Sequence, residues 1–315
     1  MTMNKLRIAI LGSTSHIAKG LINNFLLRGE HILHLYVRSS ETIETFLASI
    51  GRTDDAACII HEGYEDFSNA SYDVVINCIG VGTAKKLKGD FSLYFTVTEK
   101  YDNLVLRYLS SHPHTLYISF SSGAVYGRGH TAPAGEVTFN HVKVNHLVPE
   151  DYYGIVRLNA EAKHRALQHL NIVDLRVFSY FSRYINLTDG YFITDVMEAI
   201  LENKVLRTDS TNIVRDYLHP EDLFEMIVKC IHPGKINQAI DVNSSRPVSK
   251  QEVLDYFSAE YGLKYENRDF TDNASATGVK SNYYSTCNLA SQMGYIPQFS
   301  SMDTIKHEAR FILAH

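Results

Sequence analysis

Strand-length apolar runs alternating with helical patterns constrain this chain more than any other feature. Residues 6–11 form the first run, and 17–27 follow with Leu21, Ile22, Phe25 and Leu26 spaced as one helix face. Residues 31–37 read as the next strand and 41–49 as the next helix. Further strands fall at 73–79 and 115–120, with a helix over 101–109 between them. Apolar residues occupy successive positions in these runs, so both faces of the sheet must be covered. Helices between strands carry the chain back to the same edge, which makes neighbouring strands parallel. The expected fold is α/β: a doubly wound parallel sheet of the Rossmann type over 1–178, to which the chain returns at about 213–242. Residues 179–212 and 243–315 are less regular and rich in Tyr, Asn and Asp. They are assigned to a smaller C-terminal α/β part that binds the substrate.

Composition narrows the class of partner. Among 315 residues, 45% are hydrophobic and 21% charged, with a formal net charge of −5. No basic field exists to attract nucleic acid. Cys58, Cys78, Cys230 and Cys287 form no Cys-x-x-Cys pair and read as reduced packing thiols. The chain opens directly on its first strand without a leader pattern, and no apolar run approaches the roughly 18 residues of a membrane span. A cytoplasmic protein without membrane or nucleic-acid partners is expected.

Gly12-Ser13-Thr14-Ser15-His16-Ile17-Ala18 joins the first strand to the first helix. A turn there sets backbone N–H groups and the positive end of a helix dipole against a pyrophosphate. The spacing is Gly-x-x-Gly-x-x-Gly, with Ser15 and Ala18 at the second and third places. Both are small, but Ser15 lacks glycine's ease at positive φ. A plain strand–helix turn is the alternative. After the second strand, Tyr36 stands where an NAD site usually has an acid for the ribose 2′-hydroxyl, and Arg38 follows. A guanidinium there suits a 2′-phosphate, so NADP is expected, with NAD as the alternative and a solvated surface arginine as the plain reading.

Two later stretches carry the chemistry. Ser121-Ser122-Gly123-Ala124-Val125-Tyr126-Gly127 ends an apolar strand, and Tyr153-Gly154-Ile155-Val156-Arg157 opens a helix. Tyr153 and Arg157 lie one turn apart on a shared face. A phenol titrates near 10 in water and exchanges protons poorly at neutral pH. A fixed cation beside it brings it toward a useful range. Ser122 would hydrogen-bond the reacting oxygen and hold it in line. A strand-end serine and a packing tyrosine are the bland alternative.

With these motifs in order, the chain resembles the extended short-chain dehydrogenase/reductases of the nucleotide-sugar epimerase and reductase group. The family's Ser-Ser-x-x-Val-Tyr-Gly is Ser121 to Gly127, and its Tyr-Gly-x-x-Lys is Tyr153 to Arg157. The strand end beside the cofactor is Asn77-Cys78-Ile79-Gly80. Arg215-Asp216-Tyr217-Leu218-His219-Pro220-Glu221-Asp222-Leu223 is similar to a downstream family segment, and Gly294-Tyr295-Ile296-Pro297 to one near the C-terminus. The resemblance implies Ser122, Tyr153 and Arg157 as the catalytic set. Gly12, Ser13, Thr14, Ser15, His16, Ile17, Arg38, Cys78, Ile79 and Gly80 would bind the dinucleotide together with Tyr153 and Arg157. Arg215, Tyr217, Ser179 and Ser122 would bind a nucleotide sugar, and relatives often form homodimers. Two positions depart: Arg157 replaces the usual Lys and cannot lose its proton, and Ser179 stands where many relatives have Asn.

Sugar-nucleotide dehydratases of this type place an Asp-Glu pair after the catalytic Ser or Thr. Here Gly123-Ala124 follows Ser122, which argues against dehydration. Reduction of a 4-keto-sugar nucleotide is the expected reaction, favoured by Arg38. Epimerisation through a ketone on retained NAD is the alternative; a non-catalytic dinucleotide-binding regulator and a reductase of small carbonyl compounds stay open. The insertion-like segment 128–148 holds His130, His141 and His146 at spacings that suggest no metal pair, and no metal is expected.

Overall fold

In the computed structural model, residues 5–128, 131–231, 234–267 and 281–314 are described. Seven parallel strands form the central sheet: β1 Arg7–Leu11, β2 Ile32–Val37, β3 Cys58–Glu62, β4 Val74–Asn77, β5 Leu116–Ser122, β6 Asn171–Val177 and β7 Asn237–Val242. Their spatial order is β3-β2-β1-β4-β5-β6-β7. The order reverses between β1 and β4, and such switch points open a crevice at the carboxyl ends of the strands.

Helices α1 His16–Arg28, α2 Ser40–Ser49, α3 Leu93–Ser111 and α4 Pro149–Ala166 link the strands. Strand β1 shows why both faces are covered. Ile8 and Ile10 join a core with Leu21, Ile22 and Phe25 of α1, while Ala9 and Leu11 join a second core with Val105, Tyr108 and Leu109 of α3. These four of the five β1 residues are fully buried. A buried isoleucine is stabilised by about 1.5–3 kcal/mol, which gives such a strand little freedom to slip in register.

Beyond β6 the chain forms α5 Phe192–Leu201, α6 Pro220–Ile231, α7 Lys250–Tyr261 and α8 Ser301–Leu313, with short strands between. Helix α6 returns to the first core, where Phe224 meets Phe25 edge-on at 4.8 Å. Helices α5, α7 and α8 enclose a separate core of Phe181, Val196, Met197, Phe257 and Ile305. The pairs Val214–Arg215 with Val248–Ser249 and with Asn282–Tyr283 form a small sheet on this side.

Two elements differ from expectation. Strand β3 escapes notice because it lies at the sheet edge, where no position of Cys58–Glu62 is fully buried. Helix α3 begins at Leu93 rather than 101; its inward face includes Thr98 and Asp102, and buried polar residues break the apolar period.

Candidate active site

Strand β1 delivers the turn that opens α1. Gly12 sits at φ +70°, and a Cβ there would stand 2.8 Å from Ile79 Cγ1. Only this place in the motif needs glycine's backbone. Ser15 is at φ −71°, and its hydroxyl caps the helix by accepting the Ala18 N–H at 3.3 Å. Ser13 is buried and donates to the Ile10 carbonyl at 2.7 Å, while Thr14 is half-buried. The His16 side chain turns inward, edge-on to Tyr180 at 4.8 Å, and burial lowers its pKa to about 3. The buried imidazole stays neutral near pH 7, so His16 and Ile17 offer only backbone N–H groups at this helix start.

Cys78, Ile79 and Gly80 follow β4 directly across from this turn, and the Ile79 N–H donates to the Asn77 side chain at 3.0 Å. Burial raises the Cys78 thiol well above its usual value, so it packs as a neutral group. Arg38 is exposed at the end of β2 and forms no ion pair with the described residues. Two groups beside it were not singled out in the sequence. Glu62, in register with Val37, accepts the Ser40 N–H at 2.9 Å at the start of α2. Tyr64 brings its hydroxyl close to the Gly12 N–H and Arg38, with burial pushing its pKa up to about 12.

Ser122 ends β5 buried, with its hydroxyl accepting the Ala124 N–H at 3.2 Å. Tyr153 is half-buried in the first turns of α4, 5.3 Å from the Tyr94 ring. Gly154 permits this approach: a Cβ there would collide with the Ala124 carbonyl in the turn after Ser122. Arg157 lies over the Tyr153 ring at 5.3 Å and donates through Nη1 to the Phe120 carbonyl at 3.0 Å. Its Nη2 faces Gly80, and its Nε is buried with no hydrogen-bond partner among the described residues. The arginine thus ties α4 to β5 while presenting an unspent donor near the ends of β4 and β5.

Tyr283, which no motif signalled, connects these groups with the second part. Its hydroxyl is 2.9 Å from Ser122 Oγ, and its ring lies 5.2 Å from the Arg215 guanidinium. Arg215 is half-buried, and burial lowers its pKa from the usual value. Tyr217 is buried in the second core, and that burial raises its pKa to about 12. Ser179 is half-buried and pairs with Tyr217 through a short parallel ladder. The structure therefore brings Ser122 and Arg215 to one tyrosine, and places Tyr217 in packing.

His141 and His146 are exposed, and His130 lies outside the described residues. His219, His307 and Glu308 bring possible ligand atoms within 4.8 Å of one another. His219 Nδ1 accepts the Glu221 N–H at 3.1 Å, and its Nε2 lies 2.9 Å from His307 Nδ1 and 3.6 Å from Glu308. Arg183 also pairs with Glu308 at 2.6 Å. The donor set suits an ion-paired hub better than a cation. Among the described residues, no helix is long and apolar enough to cross a membrane.

A doubly wound sheet with a glycine turn at its switch point and a Ser–Tyr pair at its carboxyl edge defines a short-chain dehydrogenase/reductase of the extended kind. The chain belongs to the NAD dependent epimerase/dehydratase family, whose model matches residues 8–242. Solved structures agree over nearly the full length. A point mutant of UDP-glucuronic acid 4-epimerase from Bacillus cereus, in complex with UDP-4-deoxy-4-fluoro-glucuronic acid and NAD, superposes with a TM-score of 0.82 at 17% identity, covering 98% of this chain and 99% of that one. The same enzyme in complex with UDP-glucuronic acid and NAD gives 0.81. UDP-N-acetylglucosamine 4-epimerase from Methanobrevibacter ruminantium gives 0.82 at 13% identity, covering 99% of both chains. The dTDP-glucose 4,6-dehydratase of Bacillus anthracis gives 0.77 at 15%, covering 97% and 96%. Among curated proteins, none matches in sequence.

Proposed function

We propose that this chain epimerises a ring carbon of a nucleoside-diphosphate sugar by forming a ketone and reducing it from the opposite face. The observation that carries the reading is the meeting of Ser122 and Arg215 at Tyr283, with α4 setting Tyr153 beside the Gly154 contact to the turn after Ser122. The residues fit a dinucleotide: the Gly12 turn leaves no room for a side chain, and Arg157 offers an unspent buried donor beside Gly80. When bound, that cofactor supplies the hydride acceptor and donor. Gly12 to Ile17 and the 78–80 strand end would hold it, with Arg157 on its ribose. Tyr153 takes the proton from the sugar hydroxyl as the ketone forms and returns it on reduction. Ser122 hydrogen-bonds the same oxygen, and Arg215 holds the diphosphate.

The cofactor choice turns on β2 and β3. Glu62 occupies the Ser40 N–H at the start of α2, and a carboxylate there opposes a 2′-phosphate, which favours NAD. Similar folds have been solved with NAD and UDP-sugars, which supports the same choice. Exposed Arg38 favours a second reading, reduction of a 4-keto-sugar nucleotide with NADPH.

The test is incubation of the purified chain with UDP-glucose, UDP-glucuronic acid or UDP-N-acetylglucosamine plus NAD, followed by chromatography of the sugars. A C4 epimer formed without net cofactor reduction is expected. NADPH consumption with a 4-keto sugar, and none with NAD, selects the second reading. Tyr153→Phe should lower turnover by about 100-fold or more while dinucleotide affinity, measured by calorimetry, changes by less than about twofold. Undiminished turnover removes Tyr153 from the chemistry.

A further inference from the structure

We propose that Tyr283 is a positioning residue: it donates its phenolic proton to Ser122 Oγ and so turns the serine's own proton toward the reacting sugar oxygen. This role rests on the epimerase reading above. Ser122 Oγ lies 2.9 Å from Tyr283 Oη and 3.2 Å from the Ala124 nitrogen. A hydroxyl oxygen has two acceptor sites and one proton to give. The backbone N–H can only donate, so it fills the first site. A phenol is far more acidic than an aliphatic alcohol, which makes tyrosine the natural donor in the Ser–Tyr pair. Both acceptor sites of Ser122 are then filled, and its O–H must donate outward. A fixed donor aimed at an oxygen that gains negative character as its proton leaves is what ketone formation requires. With the polarity reversed, that proton would be spent inside the protein.

Tyr283 is held for this task from several directions. Asn282–Tyr283 pairs with Val214–Arg215, and the Asn282 side chain donates to the Thr131 carbonyl at 2.6 Å. Ser285 donates to Asp241 at 2.5 Å, and Phe178 packs 5.1 Å from the Tyr283 ring. Asp241 also receives Tyr126 at 2.8 Å and Arg176 at 3.3 Å, and Arg176 bridges to Glu161, which accepts from Ser121 at 2.6 Å. One buried network therefore anchors both the strand end that carries Ser122 and the segment that carries Tyr283. The ladder to Arg215 joins the group that orients Ser122 to the cation assigned to the diphosphate.

The experiment compares kcat and KM of the wild type, Tyr283→Phe, Ser122→Ala and the double variant on whichever of the three UDP-sugars the wild type turns over. Tyr283→Phe should lower kcat by about 10- to 100-fold, with KM changed by less than about threefold. Added to Ser122→Ala it should cause no further loss, because the group it serves is gone. Phenylalanine keeps the ring contacts, and thermal midpoints of all four proteins verify folding. An unchanged kcat, or losses that multiply in the double variant, assigns Tyr283 to packing and overturns the role alone. A wild type inactive on all three sugars overturns the epimerase reading and the role with it.

Discussion

At the scale of single residues, the site depends on close approach as much as on functional groups. Tyr153 reaches the neighbourhood of Ser122 because Gly154 lets α4 rest on the Ala124 carbonyl. Gly154→Ala places a methyl group against backbone that must move, a strain of about 1–3 kcal/mol. It should lower kcat by about tenfold or more through misplacement of the Tyr153 hydroxyl, with dinucleotide affinity little changed. A kcat within about twofold of wild type would show that α4 shifts without consequence. The substitution of Arg for Lys at 157 also has a local reason. A guanidinium can bond the Phe120 carbonyl, lie over Tyr153 and still face Gly80, which a single ammonium could not do at once.

At the scale of elements, α4 is the part whose placement the chemistry most needs, and a buried charge cluster fixes its far end. His164 is fully buried between Asp102 of α3, at 2.7 Å, and Asp174 of β6, at 2.8 Å. Burial alone would lower the histidine's pKa, but hydrogen bonds and charge from the two aspartates outweigh it and raise it to about 9. Tyr117 donates to the same Asp102 at 3.1 Å and accepts from Asn77, so the cluster reaches the strand end beside the Gly12 turn. A raised pKa stabilises the fold fully below the unfolded value near 6.5 and loses that contribution as pH rises through about 9. The thermal midpoint should therefore fall between pH 7 and pH 10, and the fall should shrink in His164→Gln. Equal pH profiles for the two proteins would show that the histidine is neutral throughout.

At the scale of the whole molecule, the two parts are joined by Arg183, which follows the main sheet, and Glu308 on α8. Burial raises the pKa of Glu308, yet the Arg183 guanidinium and the His219 ring outweigh it and hold the carboxyl well below the usual range. Glu308→Ala leaves a partly buried guanidinium unpaired and should cost about 1–3 kcal/mol in denaturant unfolding. A loss below about 0.5 kcal/mol would mean that solvent screens the pair. Tyr295 and Ala290 also pack into the first core, so the C-terminal residues brace the sheet as well as the second part.

The sequence by itself determined the parallel sheet with helices on both faces, the turn at Gly12 and the pairing of Tyr153 with Arg157 on one helix face. Each of these is local: apolar periodicity, a glycine at a positive φ, or residues one helical turn apart can be read along the chain. Tertiary structure alone decided that Tyr217 is buried, that Glu62 stands beside Arg38 at the start of α2, and that Tyr283 meets Ser122. Ser122 and Tyr283 are 161 positions apart and Glu62 reaches Ser40 across 22. Such meetings depend on strand order and register, which place distant residues side by side, and no spacing along the chain encodes them.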